Sequence, residues 1–312
     1  MSAITFVCRV ATTFTKSGSL DEKAFRRFLQ QFIDAKHGIY LASGGSGEGH
    51  ALKMDELKRL YEIGVNECKG KIQVNANPPE QHTARAQREQ VLLAIESGIE
   101  VVNVYGPASW HGFKPNPEEL TAYYDSVLRG IRHPIAIAPN PVIGYMPTPK
   151  QIADVCNRHR QVKVVNLSGT NDSYFIALKE VMKRRDVEIY VPFAGSLQTL
   201  PLGATGIVAM EANIFPKTLR RYIDHVERGE FHDASLIYAD IDKFIRYVNR
   251  WKSSTPRWIK MTMKVLKMPG GEGGLREPYK MPAAKELKEF ADGLLKLNIS
   301  EINDRARKAG LI

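Results

Sequence analysis

The stretch VKVVNLSGTND, residues 162–172, carries the pattern that is most informative about the fold. Four of its first six residues are apolar and three of those are valine, so the stretch predicts a buried strand. The polar residues that follow predict a turn leading into a helix. Side chains of a strand alternate between its two faces, so the last inward position decides what the strand presents to a site. We expect Asn166 at that position.

The same pattern recurs along the chain, and amphipathic helical stretches separate the apolar runs. One of these, SLDEKAFRRFLQQFIDAK, starts with Ser19 before an acidic turn, and we expect Ser19 to be its N-cap. Apolar runs bounded by helices predict a parallel sheet with helices on its outer face. Besides residues 162–167, the predicted strands are residues 4–10, 38–43, 71–76, 99–104, 134–139, 187–193 and 205–210.

Eight such β/α units predict an α/β fold, a (β/α)8 TIM barrel over residues 1–230. A C-terminal helical segment over residues 231–312 is expected to follow it. A doubly wound sheet is the competing architecture, although it more often has five or six strands.

The composition indicates a globular enzyme-sized chain. Its 312 residues are 43% hydrophobic and 25% charged, and no apolar run approaches the length of a membrane span. The N-terminal residues lack a basic segment before an apolar core, so we expect no secretory signal and a cytoplasmic location. Cys8, Cys68 and Cys156 have no CxxC spacing, which argues against a disulfide framework or a zinc cluster.

The net charge of +10, from 44 basic and 34 acidic residues, raises the question of an anionic partner. Basic and acidic residues alternate along the chain, and the densest basic stretch, residues 250–267, is interpreted as a helix surface. We therefore expect solvated faces and no nucleic-acid partner.

The loops after the strands hold the candidate site residues, because a barrel of this type places its site at the C-terminal strand ends. SGGSGEGH, residues 43–50, could aim backbone N–H groups inward as an anion nest, and a plain glycine turn is the alternative. YGPASWHGFKPNP contains Trp110 and His111 and is expected to line the substrate mouth, although Trp110 could merely pack the rim. APNPVIGYMPTP is a rigid loop that offers Tyr145.

Several of these segments resemble one family. The glycine loop resembles the G-[ST]-T-G-E motif of the dihydrodipicolinate synthase / N-acetylneuraminate lyase family. PNP, LGATGIVAMEANIFPK, GEFHDA and LREPYKMP resemble later segments of that family in the same order, so the resemblance covers essentially the whole chain. It implies a lyase or aldolase that acts on a small α-keto acid, needs no cofactor and forms a homo-oligomer, a dimer or a tetramer.

The chemistry implied by the resemblance is an imine between a lysine at the end of strand six and the keto acid, with a tyrosine as proton relay. The matching segment here is NLSGT, so Asn166 takes the place of the lysine, and an amide nitrogen is not a nucleophile. Lys163 lies an odd number of positions away, on the opposite strand face. The tyrosine position reads Ala138 or Pro139, which leaves Tyr145 as the candidate relay.

Glu211 follows strand eight, where a partly buried carboxylate could act as acid or base; a structural hydrogen bond to a loop amide is the alternative. His50 and His111 have no metal-ligand spacing with Glu48 or Glu211, so we expect no metal. The catalytic candidates are Asn166, Tyr145, Glu48 and Glu211. The substrate-binding candidates are Gly45, Ser46, Gly47, Ser168, Val208, Trp110 and His111.

These features predict a lyase or aldolase that acts on a small α-keto acid or related carboxylate without an imine. Ser46, Asn166 and Tyr145 would polarise the substrate, with Glu211 or Glu48 as base. Two alternatives stay open: an ordinary imine-forming synthase whose lysine lies elsewhere, and a non-catalytic relative that binds a keto acid. We expect a small anionic substrate and no membrane partner.

Overall fold

A computed structural model of the chain describes residues 3–184, 186–251 and 256–312. Eight parallel strands close into a barrel in the order of the sequence. The strands are β1 (Thr5–Arg9), β2 (Gly38–Leu41), β3 (Val74–Ala76), β4 (Val101–Tyr105), β5 (Ile135–Ala138), β6 (Val162–Asn166), β7 (Glu188–Val191) and β8 (Gly206–Ala209). The predicted (β/α)8 barrel is therefore confirmed, and the doubly wound alternative is excluded because β1 pairs with β8.

Helices connect the strands around the outside of the barrel, and four more follow the last barrel helix. They are α1 (Glu22–Asp34), α2 (Met54–Cys68), α3 (Ala84–Glu96), α4 (Pro117–Leu128), α5 (Pro149–Arg158), α6 (Asp172–Val181), α7 (Ser196–Thr199), α8 (Pro216–Glu227), α9 (Phe231–Asn249), α10 (Arg257–Val265), α11 (Ala284–Lys296) and α12 (Ser300–Lys308). In the described part of the chain no helix is long and apolar enough to cross a membrane.

The start of α1 differs from the sequence expectation. Asp21, not Ser19, is the N-cap, and its Oδ1 accepts a hydrogen bond of 2.9 Å from the Ala24 N–H. Ser19 lies in the preceding turn, where its N–H donates to the hydroxyl of Thr15. An aspartate satisfies the free N–H groups of a first turn as well as a serine does, and its charge also suits the helix dipole.

The apolar side chains form two cores on the two sides of the strands. The larger core fills the space between the strands and the helices, and the three cysteines are buried. The smaller core is an apolar layer inside the barrel, formed by Val7, Tyr40, Val101, Ala136, Val164, Tyr190 and Val208. Because alternate residues share a face, the positions two residues further along each strand also point into the barrel, one level closer to its C-terminal mouth.

The interpretation of residues 250–267 as a helix surface is wrong for α10. Six of the nine residues of α10 are buried, among them Trp258 and Lys260. Its apolar residues pack in the outer core, and the Lys260 ammonium donates to the backbone carbonyls of Thr12 and Gly274. Residues 252–255 of that stretch lie outside the described residues.

His37, at the entry to β2, is a fully buried histidine that contacts the start of α8 and a side chain of β1. Its Nε2–H donates to the Pro216 carbonyl at 2.8 Å, and its ring lies 4.4 Å from the ring of Phe6. The other ring nitrogen, Nδ1, is buried without a hydrogen-bond partner. Burial therefore lowers the pKa of His37 to about 4, because a second proton would have no acceptor.

This burial predicts a loss of stability in mild acid. The unfolded chain binds a proton at His37 below pH 6.5, whereas the folded chain does so only near pH 4, so stability is complete above pH 6.5 and falls as the pH decreases toward 4. We expect His37 to contribute a loss of about 2 kcal/mol between pH 7 and pH 5. His37→Gln keeps the donor and should reduce the pH dependence of urea unfolding, whereas His232→Gln at an exposed position should not. If the free energy of unfolding changed equally with pH in the wild type and both variants, His37 would not be the source of the pH dependence.

Candidate active site

Asn166 lies at the centre of a buried hydrogen-bond network inside the barrel. Its Nδ2 donates to the Tyr40 hydroxyl and to the Asn103 Oδ1, both at 2.8 Å. The three side chains come from β2, β4 and β6, and all are fully buried. Lys163 is on the opposite face of β6, exposed, with its Nζ 3.1 Å from Asp186 Oδ2. Strand alternation therefore separates the amide from the only lysine of β6.

Asn166, Asn103, Tyr40 and the neighbouring Asn75 are called the amide network below, and this network has hydrogen-bonding atoms without a partner. Asn166 Oδ1, Asn103 Nδ2 and Asn75 Oδ1 are buried and have no hydrogen-bond partner. Asn75 is paired in register with Tyr40, so it faces the same interior. Buried polar atoms are almost always paired, and unpaired ones concentrate where a protein binds something. The interior of the barrel thus offers both a donor and two acceptors to a small polar molecule.

Arg9 is the cation of this interior, and the sequence reasoning missed it. It extends from the end of β1 across the barrel to the loop after β6, where its Nη1 donates to the Ser168 hydroxyl at 3.1 Å. Only 7% of Arg9 is exposed, and its Nε and Nη2 are buried without a partner. The alternation of side chains along a strand could have identified it. Arg9 comes two residues after Val7, so an inward Val7 implies an inward Arg9.

Tyr105, at the end of β4, is a second interior residue that the sequence reasoning did not single out. Its hydroxyl accepts a hydrogen bond of 3.1 Å from Asn77 Nδ2, and the side chain is almost fully buried. Burial raises the pKa values of Tyr105 and Tyr40, so both are neutral phenols at physiological pH. Tyr40 can therefore supply a hydrogen-bond donor to the site without adding negative charge, whereas the Tyr105 hydroxyl also donates to Asn77 Oδ1 at 3.3 Å.

Tyr145, the candidate proton relay, is attached to the rim of the barrel. Its hydroxyl donates to the Pro107 carbonyl at 3.0 Å, and its ring packs beside Tyr105, Ala138 and Ile143. Burial raises its pKa. Its hydroxyl is therefore engaged in joining the loops after β4 and β5, while the small Ala138 occupies the inward end of β5.

The glycine loop after β2 turns Ser46 inward and leaves Gly45 exposed. Gly47 N–H donates to the Ser43 hydroxyl at 3.0 Å, and the Gly47 carbonyl accepts from Thr12 Oγ1 at 2.6 Å. A Cβ on Gly47 would lie 2.8 Å from the Ser43 nitrogen, so only glycine fits this turn. Ser46 Oγ is buried without a partner and remains available as a donor.

Glu48 is engaged in a buried ion pair. Its Oε1 lies 3.3 Å from Lys260 Nζ, and both side chains are inaccessible to solvent. Its Oε2 accepts from the Arg276 N–H at 2.8 Å. Burial lowers the pKa of Lys260, and the Glu48 charge opposes this effect. The structure therefore places Glu48, which the sequence suggested as a base, where both its oxygens are held by the C-terminal segment.

Glu211 lies in the turn after β8, partly buried, and its Oε2 accepts a hydrogen bond of 2.9 Å from the Met210 N–H. This is the loop-amide contact considered as the structural alternative. Burial raises the pKa of Glu211, and the positive charge of Arg9 opposes the rise. A carboxyl group with a raised pKa beside an interior cation is suited to proton transfer.

Of the remaining substrate-binding candidates, one lies deep inside the barrel and two lie on the protein surface. Val208 belongs to the apolar layer below the amide network. Trp110 is 64% exposed and His111 is exposed, because their loop folds on itself outside the barrel: the Trp110 ring packs edge-on against the rings of His111 and His82. The structure therefore does not bring Trp110 and His111 to the interior polar groups.

Potential metal ligands lie apart from the barrel mouth. Within the described residues, one group is close enough to share an ion: His225, Glu230 and Asp233, near the junction of α8 and α9. Glu230 already contacts His225 at 2.6 Å and Arg228 at 2.7 Å. This arrangement is a surface ion-pair cluster.

Comparisons with known proteins agree with this architecture. The sequence model of the Dihydrodipicolinate synthetase family matches residues 4–297. A Rhizobium meliloti protein named "Uncharacterized DapA-like lyase" is 26% identical over 89% of this chain and 90% of its own length. The 4-hydroxy-tetrahydrodipicolinate synthase of Methanococcus aeolicus is 24% identical over 90% of this chain and 96% of its own. The dihydrodipicolinate synthase structure from Aquifex aeolicus superposes with a TM-score of 0.84 at 18% identity, covering 95% of this chain and 98% of that one.

The ion pair between Glu48 and Lys260 predicts a large stability effect. Lys260→Met should destabilise the protein by about 3–5 kcal/mol, because the Glu48 carboxylate would be left buried without its cation. Glu48→Gln combined with Lys260→Met should recover much of that loss. Urea unfolding followed by circular dichroism measures both, with Lys285→Met on the exposed face of α11 as the matched control. A single-variant loss no larger than that of the control would show that the pair is not a structural link.

Proposed function

The chain belongs to the Dihydrodipicolinate synthetase family, and on that premise we propose that it is a lyase or aldolase that acts on a small α-keto acid or related carboxylate without forming an imine. Family membership supports chemistry of the lyase type. The absence of an imine is our inference from the residues of the barrel interior.

The observation that carries the proposal is the position of Asn166. Its amide nitrogen is bound to Tyr40 and Asn103 at the inward end of β6, where the family resemblance implies a lysine. The nitrogen lone pair of an amide is delocalised and does not attack a carbonyl. Lys163, the lysine of the same strand, points outward to Asp186.

The amide network supports a mechanism in which charge develops on oxygen. Removal of a proton from the carbon next to the keto group sends an electron pair to the carbonyl oxygen and leaves an enolate. Asn103 Nδ2 and the hydroxyl of Tyr40 are donors in a buried environment, where hydrogen bonds to a developing oxyanion are strongest. In the aldolase direction the enolate carbon then attacks the carbonyl carbon of a second substrate, and the alkoxide that forms takes up a proton. In the lyase direction the hydroxyl loses its proton, the carbon–carbon bond breaks to a carbonyl and the enolate, and the enolate carbon takes a proton back.

Glu211 is our proposed base for that proton. Burial has raised its pKa toward the range in which a carboxylate accepts a proton efficiently, and Arg9 keeps its ionised form accessible. Glu48, in contrast, is engaged with Lys260 and with the Arg276 backbone. We therefore assign Glu48 a structural role and Glu211 the chemical one.

The imine alternative has one remaining basis, the buried Lys260. Burial lowers the pKa of Lys260, a property that nucleophilic lysines share. Its ammonium, however, contacts Glu48 and donates to two backbone carbonyls, so attack on a substrate would require three contacts to break.

Borohydride trapping with pyruvate tests the absence of an imine. We expect the intact mass of the protein to stay unchanged after treatment, because among the described residues Lys163 points outward and the Lys260 ammonium is buried in its own contacts. Peptide mapping would locate any adduct. An adduct on Lys163 would show that Lys163, not Asn166, faces the inside of the barrel. An adduct on Lys260 would establish the imine alternative.

Proton exchange in D₂O tests the catalytic part of the same prediction. The methyl protons of pyruvate should exchange in the presence of the wild-type protein, as followed by ¹H NMR. Asn166→Ala should slow this exchange by about 10²-fold or more, since it removes the centre of the oxyanion-stabilising network. Asn157→Ala on the outer helix α5 is the matched control. Pyruvate that binds without any exchange would favour the non-catalytic relative.

We also propose that the protein is a homo-oligomer, a prediction supported by an exposed apolar surface on the loops after β4 and β5. Trp110 is 64% exposed, Phe113 78% and Val142 60%. Large side chains grouped at this exposure are typical of a protein contact. Phe113→Ser should shift the molar mass in light scattering toward the monomer, whereas Leu236→Ser on α9 should not. A wild-type protein that is monomeric at micromolar concentration would contradict this proposal.

A further inference from the structure

Arg9 presents two unused hydrogen-bond donors to the inside of the barrel. Its side chain begins on β1 and ends at Ser168 after β6. Two strands, β7 and β8, lie between β1 and β6 in the closed sheet, so the side chain crosses the lumen. Nη1 is bound to the Ser168 hydroxyl. Nε and Nη2 are buried and unpartnered.

These two nitrogens form one edge of the guanidinium plane, and their N–H bonds point in the same direction. The same chain shows what that edge binds. Arg59 uses Nε and Nη2 to hold both oxygens of Glu22, at 2.8 and 2.6 Å. Arg184 uses the same pair to hold both oxygens of Asp186, at 2.9 and 2.6 Å. A free edge of this kind fits a carboxylate.

An unpaired buried guanidinium is costly to the folded protein. A buried ion that lacks its counter-charge destabilises a protein by several kcal/mol, so such groups are retained mainly where they are used. Glu211 is a carboxylate whose charge interacts with that of Arg9, but its Oε2 is bound to the Met210 N–H. Among the described residues, Glu211 makes no ion pair with Arg9.

The position of Arg9 also agrees with the amide network. Asn166 ends β6, and Ser168 follows in the loop two residues further along the chain. Arg9, Asn103 and Asn166 each come two residues after a member of the inner apolar layer, so their free groups face the same level of the lumen. A molecule held by its carboxylate at Arg9 could place its second oxygen at the amides.

We propose that the Nε and Nη2 edge of Arg9 binds the carboxylate of the substrate, and that this contact selects small 2-oxo or 2-hydroxy acids over their neutral analogues. The inference rests on the proposed function in that it takes the same interior as the substrate site. It assigns the anionic recognition to the wall formed by β1, in addition to the glycine loop after β2.

Binding of pyruvate and of its neutral analogue pyruvamide tests this assignment, by calorimetry or by ligand-observed NMR. The wild-type protein should prefer pyruvate by about thirtyfold or more, the value of a buried charge-assisted contact. Arg9→Met should remove the preference, and Arg9→Lys should restore only part of it because an ammonium lacks the planar edge. Arg246→Met, which removes an exposed arginine, is the control for net charge.

Thermal unfolding gives a second readout that does not depend on activity. Arg9→Met should raise the melting temperature of the ligand-free protein, because it replaces an unpaired buried cation by an apolar group of similar length. Pyruvate should raise the melting temperature of the wild type and leave that of Arg9→Met unchanged. A purely structural arginine would give the opposite result, a lower melting temperature in the variant.

The outcomes separate this inference from the proposed function. Equal affinity of the wild type for pyruvate and pyruvamide, binding of neither, or a preference retained in Arg9→Met would overturn the role of Arg9. Exchange of pyruvate protons could still be observed in the last case, and the proposed function would stand. Conversely, a charge preference that depends on Arg9 without any exchange would support the carboxylate site and reject the catalysis.

Discussion

The closure of eight parallel strands is the constraint on which the rest of this structure depends. In a closed barrel every second residue of each strand points into one narrow lumen, so residues far apart in sequence are forced into contact. Val7, Val101 and Val164 form part of an apolar layer, and two residues later come Arg9, Asn103 and Asn166. The same alternation therefore produces an apolar floor and a polar layer above it.

The C-terminal segment fixes the loops at the mouth through buried charges. Lys260 reaches the Thr12 carbonyl after β1 and the Glu48 carboxylate after β2, and its ammonium lies 4.7 Å from the centre of the Phe14 ring. Arg276 binds both oxygens of Glu56 at the start of α2, and its guanidinium lies 4.3 Å from the centre of the Phe14 ring. Such pairs contribute to specificity more than to net stability, because desolvation offsets much of their attraction. Their effect here is to hold Ser46 and Gly47 in one conformation beside the barrel interior.

The sequence was sufficient for the fold and for part of the site. Apolar runs separated by helical stretches predicted all eight strands, and parity predicted that Asn166 and Lys163 lie on opposite faces of β6. Parity within one strand did not reveal that Asn166, Asn103 and Tyr40 meet, because that depends on the stagger of strands around the barrel. The partner of Glu48 could not be predicted either: Lys260 is more than two hundred residues away and looked like one charge in a basic helix surface. Tyr145 was chosen for its loop, and its contact with Pro107 depends on how two loops pack.

An amide and a guanidinium would change which reactions this family architecture can support. An imine places a positive charge in conjugation with the reacting carbon, so it acts as an electron sink through nitrogen. The donors of our proposal, Asn103 Nδ2, the Tyr40 hydroxyl and Arg9, can stabilise charge only on oxygen atoms of the substrate. The substrate must then keep its own carbonyl throughout, and no water is lost to form an adduct. This restricts the chemistry to acids whose carboxylate and neighbouring oxygen reach both groups together. Such a site would lack the broad reactivity of a covalent intermediate. It would instead recognise its substrate through fixed, buried hydrogen-bond donors.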